Sequence, residues 1–166
     1  MKVDISEISK FNGAELVLEY NEVLENSDRL AEGFIIHKPI SFKGVLTNVD
    51  GILLLKGKLA FDYVTGCFRC LKDVEEHVEI RISENYVNDG GQAEELDAYT
   101  YEGNLLDLDK AIEDNIILNL PMKKLCSQDC KGLCEKCGTN LNDKQCNCSE
   151  DSINPQMEKL RDYLKD

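Results

Sequence analysis

The sequence predicts a mixed α+β protein: a curved antiparallel β-sheet with one covering helix and a cysteine-rich, zinc-binding C-terminal segment. Three observations lead there. Apolar residues alternate at period two through most of residues 14–86. The period lengthens to three or four between Leu105 and Leu120. Six of the eight cysteines then fall between Cys126 and Cys148.

The elements follow in chain order. "AELVLEY" puts Ala14, Leu16, Leu18 and Tyr20 on one strand face, and "ISFKGVL" does the same with Ile40, Phe42 and Leu46. In "TNVDG" the pair Asp50-Gly51 is a turn signal. Leu53, Leu55, Gly57, Leu59, Phe61 and Tyr63 form a long period-two face, interrupted by "TGCFRCLKD". Beyond it Val74, Val78, Ile80, Ile82 and Tyr86 share one face, while Glu75, His77, Glu79 and Arg81 share the other. Two long strands with so short a link form a hairpin, with Cys67 and Cys70 at its tip. "NDGGQAEELD", Asn88 to Asp97, reads as a polar acidic loop. In "LLDLDKAIEDNIILNLP" the residues Leu105, Leu108, Ile112, Ile116 and Leu120 mark a helix lying on the sheet, with Asp107 as N-cap and Pro121 as stop. The final "NPQMEKLRDYLKD" reads as a short helix with Pro155 in its first turn and Met157, Leu160 and Leu164 inward. Residues 1–121 are thus expected to form the sheet-and-helix body, and 122–166 a zinc-binding tail.

At 166 residues the chain is about one domain and long enough to bury a core without covalent staples. "MKVDISEISK" lacks the apolar run of a secretory signal, and no stretch of about 18 uncharged apolar residues exists to span a membrane. A cytoplasmic location is expected. Thiols stay reduced there, so eight cysteines point to metal before disulfides, although an even count fits a disulfide framework as well.

Zinc takes four ligands in a tetrahedron, and a tight Cys-x-x-Cys turn can supply two of them. The chain offers the pairs Cys67/Cys70, Cys126/Cys130, Cys134/Cys137 and Cys146/Cys148. These fill two four-thiolate sites with nothing left over. "CEKCG" followed by "CNC" is nearly self-contained, and Gly138 suits the left-handed residue of a zinc knuckle. Cys134, Cys137, Cys146 and Cys148 therefore form a local site. The hairpin-tip pair then takes Cys126 and Cys130, which a helix packed along the sheet could deliver. A competing partition joins Cys126/Cys130 to Cys134/Cys137 and leaves Cys67/Cys70 to meet Cys146/Cys148. Four thiolates also suit iron.

Catalysis is not expected. Catalytic zinc keeps an open position, usually with histidine or carboxylate ligands. The two histidines, His37 and His77, read as surface or core. A redox Cys-x-x-Cys opens a helix in a βαβ unit, whereas Cys67 and Cys70 lie between antiparallel strands. No nucleophile elbow, phosphate loop or dinucleotide fingerprint is present, and no small-molecule substrate is implied.

Charge is uneven. The net formal charge is −13, yet residues 122–148 hold five lysines against three acids, leaving −15 elsewhere. Arg69, Lys72, Lys123, Lys124, Lys131 and Lys136 surround the cysteines and are the candidate contacts to RNA or a partner. They can equally serve to screen the thiolates and solvate the turns. The acidic remainder repels nucleic acid at long range and suits a basic partner.

"TGCFRCL", "LDLDKAIEDNIILNLPMKKLC", "SQDCKGLCEKCGTNLN", "CNC" and "INPQMEKLRDYL", in that order, resemble the bacterial YceD family over residues 40–166. The resemblance implies a cytoplasmic protein needed for large-subunit (23S) ribosomal RNA to accumulate, with no catalytic residue to carry over. Such proteins are often encoded beside a large-subunit zinc-ribbon ribosomal protein. A ribosome-biogenesis factor binding rRNA or its precursor is therefore expected. Alternatives are an acidic chaperone for a basic large-subunit ribosomal protein, and a thiol or zinc redox switch.

Overall fold

A computed structural model describes residues 1–22, 33–36, 39–88, 93 and 97–148. His37, most of the acidic loop and the C-terminal helix expected from "NPQMEKLRDYLKD" lie outside the described residues.

Eight strands and one α-helix are present among the described residues, which makes the class α+β. The strands are β1 (Lys2–Asp4), β2 (Glu15–Glu22), β3 (Phe34–Ile36), β4 (Ile40–Val49), β5 (Ile52–Gly66), β6 (Asp73–Asn88), β7 (Tyr99–Tyr101) and β8 (Leu105–Asp107). The helix, α1, spans Asp109–Asn119, and a single 3-10 turn covers Ile8–Lys10. The main sheet runs β2-β4-β5-β6-β7, with β3 pairing β5 beyond the end of β4. Alternation decides which side faces inward. Leu53, Leu55, Leu59, Phe61 and Tyr63 of β5 are buried, as are Ile40, Phe42 and Leu46 of β4.

The expected curvature is corrected: the sheet is neither curved nor closed. Strong bending needs bulges, and the ladders here have none. β4–β5 keeps one register from Ser41↔Ala60 to Val49↔Ile52, and β5–β6 does so from Leu53↔Tyr86 to Gly66↔Asp73. Nor is the sheet wholly antiparallel, because β7 pairs β6 in parallel.

Local chemistry explains the hairpins. Asp50 (φ 52°) and Gly51 (φ 89°) are both left-handed, as the two-residue turn between β4 and β5 requires. The Asn12 side chain brackets that turn, accepting from the Asp50 N–H at 3.0 Å. Buried Asn48 donates to the Ile8 and Ser9 carbonyls at 2.8 and 3.1 Å and accepts from the Gly51 N–H at 2.9 Å. Gly44 and Gly57 face each other across β4–β5. A Cβ on either would come within 2.6 Å of the Phe42 ring, so the two glycines leave the slot that this ring fills.

The inner face is covered by α1, whose Ala111, Ile112, Asn115 and Ile116 are buried. The 3-10 turn and a small β1–β8 ribbon join them in one core. The helix begins later than its apolar pattern suggests. Leu105 is exposed, and Leu105–Asp107 is extended because it satisfies the backbone of Lys2–Asp4. Leu108 holds the N-cap position, while Asp107 accepts the Asp109 N–H at 3.0 Å from one residue further out. At the other end the Leu120 N–H closes on Ile116 and Ile117, and Pro121 follows. No helix among the described residues is long and apolar enough to cross a membrane.

Candidate metal centres

Two groups of four cysteine sulfurs lie within 4.8 Å of one another: Cys67, Cys70, Cys126 and Cys130, and Cys134, Cys137, Cys146 and Cys148. This is the first of the two partitions considered from the spacing. In the first group Cys67 Sγ is 3.8 Å from Cys130 Sγ, and Cys70 Sγ is 3.6 Å from Cys126 Sγ. A disulfide needs about 2.05 Å, and all eight cysteines are free. Four sulfurs each about 2.3 Å from a zinc sit about 3.8 Å apart along the edges of the tetrahedron. The spacing and the all-thiol donor set therefore fit a four-coordinate thiophilic ion.

The hairpin brings Cys67 and Cys70 to the end of β5 and β6, and the segment that follows α1 brings Cys126 and Cys130 to meet them. Cys67, Cys70 and Cys130 are buried in a small cluster with Val74, Leu125 and Leu133 around them. The joint is stitched by backbone. Phe68 N–H donates to Lys124 O at 2.8 Å, Leu133 N–H donates to Arg69 O at 3.1 Å, and Cys126 N–H points at Cys67 Sγ at 3.3 Å. Gly132 (φ 77°) passes so close that a Cβ there would lie 3.1 Å from the Arg69 carbonyl.

The two Cys-x-x-Cys turns are built alike. At the hairpin tip Leu71 N–H donates to Cys67 O (2.9 Å) and Cys67 N–H to Lys72 O (2.8 Å). In the tail Gly138 N–H donates to Cys134 O (2.8 Å) and Cys134 N–H to Thr139 O (2.8 Å). Gly138 has φ 70°, the left-handed residue expected there; Leu71 fills the same position with φ 60°.

Electrostatics follow from this packing. Burial opposes ionisation of Cys67, yet the N–H groups of Cys70, Cys126 and Arg69 outweigh it and bring the thiol down to about 6. The Thr139 hydroxyl and N–H bring Cys137 down to about 6 as well. Their neighbours move the other way: Cys130 pushes Cys126 up to about 12, and Cys137 pushes Cys148 up to about 12. Thiolates this close suppress one another's ionisation, and a divalent cation would remove that penalty by neutralising them.

The six candidate contact residues are distributed unequally. Arg69 Nη1 donates to the Cys130 carbonyl at 2.8 Å, so the guanidinium braces the first cluster. The Lys124 ammonium pairs with Glu76, whose carboxyl it holds below the usual range, and Tyr63 also donates to Glu76 at 3.0 Å. Lys123 Nζ sits 4.5 Å from the Phe68 ring centroid. Lys72, Lys131 and Lys136 are exposed. His77 stands on the outer strand face, 2.7 Å from Asp62, away from both clusters.

One residue with no signal in the spacing emerges. Asn142 belongs to the loop between the tail cysteines, yet its Nδ2 donates to Cys130 Sγ of the other cluster at 3.3 Å, and its Oδ1 accepts the Lys131 N–H at 2.8 Å. Polar residues are ordinary in such a loop, and nothing in the sequence distinguishes this one.

Relatives agree with the reading from motifs. The family model described as "Large ribosomal RNA subunit accumulation protein YceD" matches residues 55–164. An uncharacterized protein of Mycobacterium leprae is 29% identical over 76% of this chain, which spans 59% of that protein's length. An uncharacterized protein of Mycobacterium tuberculosis is 26% identical over 99% of this chain and 81% of its own. A chloroplastic Arabidopsis thaliana protein, named large ribosomal RNA subunit accumulation protein YCED homolog 1, is 39% identical over 28% of this chain and 14% of its own. No solved structure matches significantly. With more than half of its length matched, both cysteine clusters included, the chain belongs to the YceD family.

Proposed function

We propose that the chain supports large-subunit rRNA accumulation by binding rRNA or its precursor in the cytoplasm, without catalysing a reaction. Two structural zinc ions hold the binding end together. Family membership supports the role in rRNA accumulation. The single observation that supports RNA as partner is the hairpin tip: exposed Lys72 lies on the turn, and the segment docked against it carries exposed Lys123, 4.5 Å from the Phe68 ring centroid, and exposed Lys131. Cys67, Cys70, Cys126 and Cys130 would lock the hairpin to the helix end, and Cys134, Cys137, Cys146 and Cys148 would fold the tail. Residues 1–121 are then the body and 122–166 the tail.

The test has two parts. Metal content with thiol titration should give two zincs and no reactive thiols per chain. One zinc with Cys67 and Cys70 freely alkylated would instead favour the redox reading, and iron in place of zinc would revise the metal. Reversing Lys72, Lys123 and Lys131 to Glu should abolish retention of 23S rRNA at moderate salt; unchanged retention sinks the RNA reading. Arg69 is left out because it braces Cys130.

A second reading has its own observation. A groove of about 980 Å3 between α1 and β7 is lined by six acids, among them Glu84, Asp97, Glu113 and Asp114, against one cation, Lys110. Its charge suits a basic ribosomal protein held before assembly. Recovery of such a protein on the chain after nuclease treatment would support this; recovery of none would end it.

A further inference from the structure

We propose that Phe68 is a stacking platform for an unpaired RNA base, with the surrounding cations taking the flanking phosphates. This rests on the RNA-binding reading above and deepens it. Phe68 lies between Cys67 and Cys70. Both cysteines are buried, but Phe68 is 59% exposed on the turn between the two strands. A phenyl ring that leaves 59% of its residue in solvent contributes little to the core. Its backbone is nevertheless held, because its N–H bonds the Lys124 carbonyl and its neighbours are the cluster cysteines. The ring is therefore presented from a fixed base. Leu71, 69% exposed on the same turn, adds a second apolar surface.

Charge decides the occupant. Residues 67–72 carry no acid; Arg69 there braces Cys130, and Lys72 is exposed. Lys123 already rests on the ring, with its ammonium 4.5 Å from the centroid, and exposed Lys131 follows Cys130. An exposed ring with an ammonium 4.5 Å from its centroid and exposed lysines in the flanking segments matches a polymer of flat bases on an anionic backbone. When a base takes the ring, the Lys123 ammonium loses its aromatic partner and moves to the adjacent phosphate. Inside a duplex every base face is already stacked on its neighbours and only the two ends are free, so the ligand is single-stranded or looped RNA.

The test uses the full chain loaded with zinc, with anisotropy of a labelled short oligoadenylate and of a blunt RNA duplex at low salt. Wild type should prefer the single strand. Phe68→Ala should weaken single-strand binding roughly 5- to 100-fold, with duplex affinity, zinc content and melting temperature unchanged, and Phe68→Trp should restore it. Phe68→Ala that binds like wild type overturns the stacking role while the RNA reading stands. Wild type that binds neither RNA overturns both. Equal affinity for polyglutamate, with no effect of Phe68→Ala, would show a generic cationic patch and overturn the proposal.

Discussion

The hairpin knuckle and the tail knuckle close with the same pair of backbone hydrogen bonds, yet their settings are opposite. Cys67 and Cys70 are buried and meet cysteines that arrive from beyond the helix; Cys134 and Cys137 are more exposed and meet Cys146 and Cys148 within one loop. A cross-link between distant segments stabilises the assembly of elements, whereas a local one mainly orders its own turn. The same four-thiol unit should thus matter globally in one place and locally in the other.

The sharpest way to break this comparison is to remove one ligand from each. In zinc-loaded protein Cys67→Ala should lower unfolding free energy by at least about 4 kcal/mol, because the hairpin tip loses its anchor and leaves uncompensated buried thiols. Cys137→Ala should lower that of the body by no more than about 1 kcal/mol. Urea unfolding followed by the sheet signal decides it, and equal losses would erase the distinction. Asn142→Ala should blur the boundary next. Although this residue lies in the tail loop, its loss removes a donor to the Cys130 sulfur and should cost about 1.5–3 kcal/mol at the first centre, seen as earlier zinc loss from a chain lacking the tail ligands. Chelation should sharpen the contrast in time: with a chromogenic chelator, zinc release should be biphasic, the tail centre emptying about tenfold faster, and Cys137→Ala should delete the fast phase. The smallest effect tests the shared turn itself. Leu71→Gly should relieve a left-handed residue and stabilise by up to about 1 kcal/mol, while Gly138→Ala should cost about that much. Thermal melts of the two variants should move in opposite directions.

Much of the body is readable from residue periodicity. The inward sets on β2, β4, β5 and β6 follow directly from alternation, and the hairpin tip from the break at "TGCFRCL". Cysteine spacing narrows the grouping to two partitions, and the structure brings the sulfurs together in the first of them. Other features escape for physical reasons. Strands of three residues, such as β1, β7 and β8, are too short to show a period, so the β1–β8 ribbon and the parallel β7 carry no local signal. Leu105 shares the helical spacing of Leu108 and Ile112, but tertiary pairing with Lys2–Asp4 overrides it. The roles of Gly44, Gly57, Asn48 and Asn142 depend on partners far along the chain.

The 63-residue separation between Cys67 and Cys130 also imposes an order on synthesis. The hairpin thiols leave the ribosome first and stay open until the helix and the segment beyond it have been made. Folding from the N-terminus can complete the sheet in that interval, but an ion at the first group could not be enclosed before sheet and helix had found each other. Metal capture there would therefore record that the newborn chain has assembled in the right arrangement, before the tail has gained its last cysteine.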